Sequence, residues 1–114
     1  MNVYDAANNL ARAIKDSQEY KVYKQMEASV KTSEPVKKMI DDFHAKQFEL
    51  QKKQMMGEQP SEFEMKQLQK LVEVASIDPL ARDFISAEMR FTLMMQDVSK
   101  ILSDVMELEK VNKR

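Results

Sequence analysis

From Leu80 to Leu108 an apolar residue recurs at alternating spacings of four and three: Leu80, Phe84, Ala87, Phe91, Met94, Val98, Ile101, Val105 and Leu108. Nine successive matches without a polar interruption predict one long helix with a coiled-coil-like seam. A second strip, Ile85, Met89 and Leu93, lies on its back face near the N-terminal half. A helix that is apolar on two sides needs two partners. At about 1.5 Å per residue the stretch is roughly 43 Å long. A compact chain of this size has a diameter of roughly 34 Å. The subunit is therefore elongated, or part of the helix packs on another chain; self-association, as a dimer or larger, is the expectation. Phe84, Ile85, Met89, Phe91, Leu93, Met94, Val98, Ile101 and Val105 are the candidate core or oligomer-interface residues.

The rest of the chain reads as helix too. One glycine and three prolines in 114 residues leave little material for the tight turns of an all-β fold. Those residues fall where helices start and stop. Gly57 follows a long periodic stretch, where a left-handed residue is wanted. "SEFE" at Ser61–Glu64 fits a capping box. "SIDPLARDF" puts Asp78 at an N-cap with Pro79 at the first helical position, and "KTSEPVKKM" puts Ser33 before Glu34 and Pro35. "KDSQEYK" offers Asp16 and Ser17 as caps for a helix starting near Gln18. Phase supports a break there: the stripe Val3, Ala7, Leu10, Ile14 points well away from the stripe Tyr23, Met26, Val30. The expectation is an all-α fold of about five helices with a long C-terminal one. It would be an elongated bundle forming a homo-oligomer, with residues 1–114 as a single domain.

The third helix, about Glu34 to Met56, carries Val36, Met39, Ile40, Phe43 and Leu50 on one face. Gln47 and Gln54 fall on the middle of that stripe, where buried amides would fix helix register, unless the helix curves and they face solvent. The fourth helix, Glu62 to about Ser76, has Met65, Leu68, Leu71, Val72 and Ala75 on its main face. Ten methionines are many for such a chain. Met39, Met65 and Met94 read as core filler. Met55, Met56, Met89 and Met95 are harder to bury in one small bundle, and a flexible, polarisable thioether suits adaptable contact surfaces. Gln47, Phe48, Met55 and Met56 form the candidate partner surface.

Chemistry is hard to find. The absence of cysteine excludes disulfides, thiolate metal sites and cysteine nucleophiles. One glycine excludes a glycine-rich phosphate loop. His44 is the only histidine. "DDFH" sets Asp41 and His44 on one helical face, but a carboxylate-bridged di-metal bundle needs a second such pair. The pairs Asp41/Asp42 and Glu107/Glu109 sit among lysines. Glu34–Lys38, Asp42–Lys46, Glu49–Lys53, Glu62–Lys66 and Glu109–Lys113 are i,i+4 pairs with the acid first, the pattern of solvated helix faces. The net charge is −1. Lys37/Lys38, Lys52/Lys53 and the tail "KVNKR" are scattered and lack interleaved aromatics, so no direct nucleic-acid partner is expected. No apolar run approaches a membrane span, and the first residues lack the order of a signal peptide. The expected location is cytoplasmic. No catalytic, cofactor-binding or metal residue is assigned.

"LARAIKDSQEYKVYK" (Leu10–Lys24), "DFHAKQFELQKKQMMGE" (Asp42–Glu58) and "AEMRFTLMMQDVSKILSD" (Ala87–Asp104) resemble the YlbF/YmcA family of small bacterial helical proteins, and most of all its YheA-like branch. The resemblance implies an all-α fold that forms dimers or larger homo-oligomers. It implies regulatory adaptors of Gram-positive bacteria that join the protein YaaT and affect sporulation, competence, biofilm formation and RNase Y-dependent mRNA processing. Iron–sulfur clusters bound through cysteines in some members do not carry over to a chain without cysteine. The reading is a non-enzymatic, self-associating protein-interaction protein, a regulatory adaptor whose partners are itself and other bacterial regulatory proteins. The alternatives are a carboxylate/His44 metal-binding enzyme and an RNA-associated factor. Stoichiometric bound metal would mark the first; salt-sensitive retention on nucleic acid would mark the second.

Overall fold

In the computed structural model, residues 1–106 are described. They form five α-helices, α1 (Val3–Asp16), α2 (Gln18–Lys31), α3 (Glu34–Met55), α4 (Glu62–Ile77) and α5 (Pro79–Ser103), followed by one 3₁₀ turn, Asp104–Met106. No strand occurs among the described residues. Glu107, Leu108, Glu109, the Glu109–Lys113 pair and the "KVNKR" tail lie outside them.

Short polar side chains set the helix boundaries. Asn2 caps α1 by accepting from the Asp5 N–H at 2.8 Å. Ser17 alone separates α1 from α2. Its hydroxyl donates to the Ile14 carbonyl at 2.6 Å and accepts from the Tyr20 N–H at 3.1 Å. One serine thus stops one helix and starts the next, and the expected break falls there. Ser33 caps α3, with Pro35 in its first turn. At the α4–α5 junction the Asp78 carboxylate accepts from the Leu80 and Ala81 N–H groups at 2.9 and 3.0 Å. Its own N–H donates to the Ala75 carbonyl at 3.2 Å.

The α3–α4 turn uses glycine as expected. Gly57 has φ +81°. The Gly57 N–H donates to the Gln54 carbonyl at 3.1 Å and the Glu58 N–H to the Lys53 carbonyl at 2.9 Å, the paired bonds of a Schellman ending. Met56 is the C-cap of α3, one residue outside the helix. Ser61 and Glu64 then complete a capping box, with reciprocal bonds of 2.9 and 3.1 Å. A Cβ on Gly57 would meet nothing within 4 Å, so only the backbone conformation penalises a side chain there. Gly57→Ala is expected to cost about 1 kcal/mol and to lower Tm by about 4–8 °C. A thermal melt checks this, and an unchanged Tm would contradict it.

The chain divides into two compact units. One holds Met1–Tyr23 and the described residues from Ala87 on; the other is Lys24–Ser86. In the Lys24–Ser86 unit the buried residues are Val30, Val36, Ile40, Phe43, Leu50, Ala75, Ala81 and Phe84. Four come from the predicted stripe of α3. On α4 Ala75 is buried and Leu68 and Leu71 are half-buried along one line, while Met65 and Val72 are exposed. Their wheel positions explain the departure from expectation: both lie to one side of that line. Gln47 is half-buried, but Gln54 is exposed, so it does not act as a buried register amide.

In the first unit Ala87 is buried and Phe91 is half-buried. Phe91 stacks on Tyr23, with centroids 5.1 Å apart and planes at 1°, and meets Tyr20 edge-on at 5.8 Å and 60°. Such aromatic pairs add to the area they bury.

The predicted ion pairs form only in part. Glu62–Lys66 is present at 3.6 Å. Lys38 turns instead to Asp42 at 3.1 Å, Lys46 to Glu49 at 3.4 Å, and Lys53 to Glu64 across the turn. A lysine stem reaches carboxylates three or four residues away in either direction, so spacing alone does not choose its partner.

Candidate functional site

The sites the structure offers are surfaces. Among the described residues no group of three or more His, Asp or Glu side chains could hold a metal ion. Asp41 is exposed and pairs with Lys37 at 3.3 Å. The His44 ring lies 5.8 Å from that of Phe43 and 6.1 Å from that of Phe84. Two aromatic neighbours make it part of the packed side of α3. Lys37, Lys38 and Lys53, three of the scattered basic residues that sequence gives no nucleic-acid role, each hold a carboxylate. No described helix is long and apolar enough to cross a membrane.

The predicted α5 residues separate by burial. Phe84 is buried and Ile85 half-buried, both in the Lys24–Ser86 unit. In the other unit Phe91, Met94 and Val98 are half-buried, whereas Met89, Leu93, Ile101 and Val105 are exposed. Ile101 is 67% and Val105 83% exposed, joined by Leu102 and Met106. The seam so regular in sequence is therefore covered at its start and open at its end. The same unit contains α1, whose stripe was legible but has no buried residue. Val3 is 79% and Tyr4 80% exposed, while Leu10 and Ile14 are half-buried. An amphipathic helix this short owes its stability to packing rather than propensity. Open apolar faces on α1 and α5 are the unit's main unsatisfied feature.

On α3, Phe48 and Met55 repeat seven residues apart on one exposed face. Met56 is exposed beside them, and Gln47 is half-buried at its edge. The candidate partner surface is thus open except at Gln47.

Two features escaped sequence reasoning. The first is a clasp across the α3–α4 turn, where the Lys53 ammonium binds the Glu64 carboxylate. That bond, helped by the Ser61 N–H, holds Glu64 at about 2, below the usual carboxylate range of 4.5. Glu64 in turn raises Lys53 above 10.5. A depressed carboxylate contributes stability above pH 4.5 that fades as pH falls toward 2. A raised ammonium contributes below pH 10.5 and loses its contribution as pH rises through its folded value. Glu64→Gln is therefore expected to flatten the acid limb of a Tm–pH curve between pH 4.5 and 2. Parallel curves for the two proteins would contradict the clasp.

The second feature is an open groove of ≈ 470 Å³ lined by Lys46, Phe63, Lys66, Gln67, Lys70 and Leu71. Five of these share one face of α4 at spacings of three, four, seven and eight. That spacing is visible in sequence, but the approach of Lys46 from α3 is not.

These features define an all-helical protein whose distinctive surfaces are apolar faces and a lysine-lined groove. Residues 3–107 match the family model described as "Control of competence regulator ComK, YlbF/YmcA". The chain belongs to this YlbF/YmcA family. It is 39% identical to a UPF0342 protein of Caldicellulosiruptor bescii over 108 residues, covering 95% of this chain and 91% of that one. It is 36% identical to a UPF0342 protein of Alkalihalophilus pseudofirmus, over 93% of this chain and 90% of that one. A UPF0342 protein of Staphylococcus aureus is 33% identical, over 90% of each chain. Its fold is shared with a "Protein of Unknown Function (DUF964) from Bacillus stearothermophilus" at TM-score 0.77 and 23% identity, over 94% of this chain and 95% of that one.

Proposed function

We propose that this chain is a non-enzymatic cytoplasmic protein that self-associates and acts as a regulatory adaptor by contacting other proteins. The observation that carries the reading is the open apolar surface of α1 and the second half of α5, in one compact unit. Leaving Val3, Tyr4, Leu93, Ile101 and Val105 in water forgoes about 25 cal/mol for each Å² that a second chain would cover. Another copy supplies the same faces, as closed symmetric assembly requires. The family description supports a place among regulators of competence, whose proteins would be the partners. Phe48 and Met55 on α3, with Met56 at its C-cap, provide a separate surface for them. The test is mass in solution for wild type and for Leu93→Asp combined with Ile101→Asp. The wild type is expected to be a multiple of 13.3 kDa and the double variant a folded smaller species.

A further inference from the structure

The groove of the Lys24–Ser86 unit combines an apolar floor with a cationic rim. Phe63 is 69% exposed although it sits in the first turn of α4. Leu71 lies two turns on, half-buried. Between and beside them stand Lys66, Lys70 and, from α3, Lys46. Lys46 is mostly buried, and its ammonium meets Glu49 at 3.4 Å. Lys66 meets Glu62 at 3.6 Å, with both side chains well exposed. Lys70 makes no ion pair among the described residues. The Lys66–Glu62 pair is of the exposed kind that contributes little, so an incoming carboxylate can replace it.

We propose that this groove docks an acidic, amphipathic segment of a partner protein. One aliphatic or aromatic side chain of that segment would lie on Phe63 and Leu71, and flanking carboxylates would face Lys46, Lys66 and Lys70. Charge complementarity selects this occupant. The rim gathers three cations in a chain of net charge −1. The floor needs an apolar anchor, the arrangement used when a helix lies in a groove. Nucleic acid fits less well, because the floor offers one aromatic ring, Phe63, where a single strand needs successive stacking platforms. The inference rests on the adaptor reading and names the chemistry of its partner. It does not depend on self-association.

The test is an NMR titration of the ¹⁵N-labelled full chain with a synthetic helical peptide of about fifteen residues, roughly four turns. Leucine lines one face of the peptide and glutamate flanks it. The comparators are the same peptide with glutamine for glutamate and a uridine oligonucleotide. The expected result is saturable shifts at Phe63, Lys66, Gln67, Lys70 and Leu71 with the acidic peptide. Lys66→Glu with Lys70→Glu should weaken binding by about tenfold or more. Phe63→Ala should weaken it too, and these exposed positions should leave the fold intact. Absence of shifts, shifts elsewhere, equal binding of the glutamine peptide, or preferential binding of the oligonucleotide would each overturn the proposal. Sedimentation of the same samples separates the two claims. An assembled chain that ignores the acidic peptide overturns only the groove; a monomeric chain that binds it overturns only self-association.

Discussion

Phe84→Ala is expected to destabilise the protein by about 3–5 kcal/mol, the range for truncating a buried aromatic side chain. Phe84 is 4% exposed, and Ala75 and Ala81, both fully buried, belong to the same unit. The His44 ring lies 6.1 Å away. A small helical domain holds about 5–15 kcal/mol in all, so the loss would consume much of its stability. Urea denaturation reads this as a lower midpoint at an unchanged slope. Phe63→Ala provides the contrast. The same atoms removed from an exposed position should change stability by no more than about 0.5 kcal/mol. Similar losses at the two positions would mean that the assigned core is wrong.

The second large effect concerns assembly. Leu93→Asp with Ile101→Asp is expected to dissociate the oligomer and leave the subunit folded. Both residues are exposed in the single chain, so a carboxylate there stays hydrated. In an assembled interface the same carboxylates would be buried without partners, at several kcal/mol each. Val98→Asp is a blunter probe, because Val98 is half-buried within its own unit and its replacement perturbs folding as well. Circular dichroism should show wild-type helix content in the double variant while its mass falls. Unfolding of the double variant would place Leu93 and Ile101 in the subunit core. An unchanged mass would remove them from any interface.

Helix boundaries were the most legible part of the fold. Caps are local chemistry: Ser17, Ser33, Ser61 and Asp78 hold backbone N–H groups within three residues, and Gly57 supplies the left-handed turn. The α3 core stripe was legible for the same local reason, a single helical period. Partner choice was not. Periodicity tells which residues share a face but not what covers it, so the α5 stripe reads uniformly while burial fades from Phe84 to Val105. Lys53 illustrates the limit for charges. Sequence spacing pairs it with Glu49, but the α3–α4 turn delivers Glu64, eleven residues on, which the capping box has already oriented. The Lys46–Lys66–Lys70 rim needs the same turn to come together. The Met65 and Val72 positions fail differently: Leu68, Leu71 and Ala75 take the inward line of α4, half-buried to buried, and leave both outside it.

On this reading another copy of the chain closes the open faces of α1 and α5. The most direct measurement is light scattering on the wild-type protein, coupled to size exclusion, over a range of micromolar concentrations. The expected mass is an integer multiple, two or greater, of 13.3 kDa. A single species of 13.3 kDa at every concentration would contradict it.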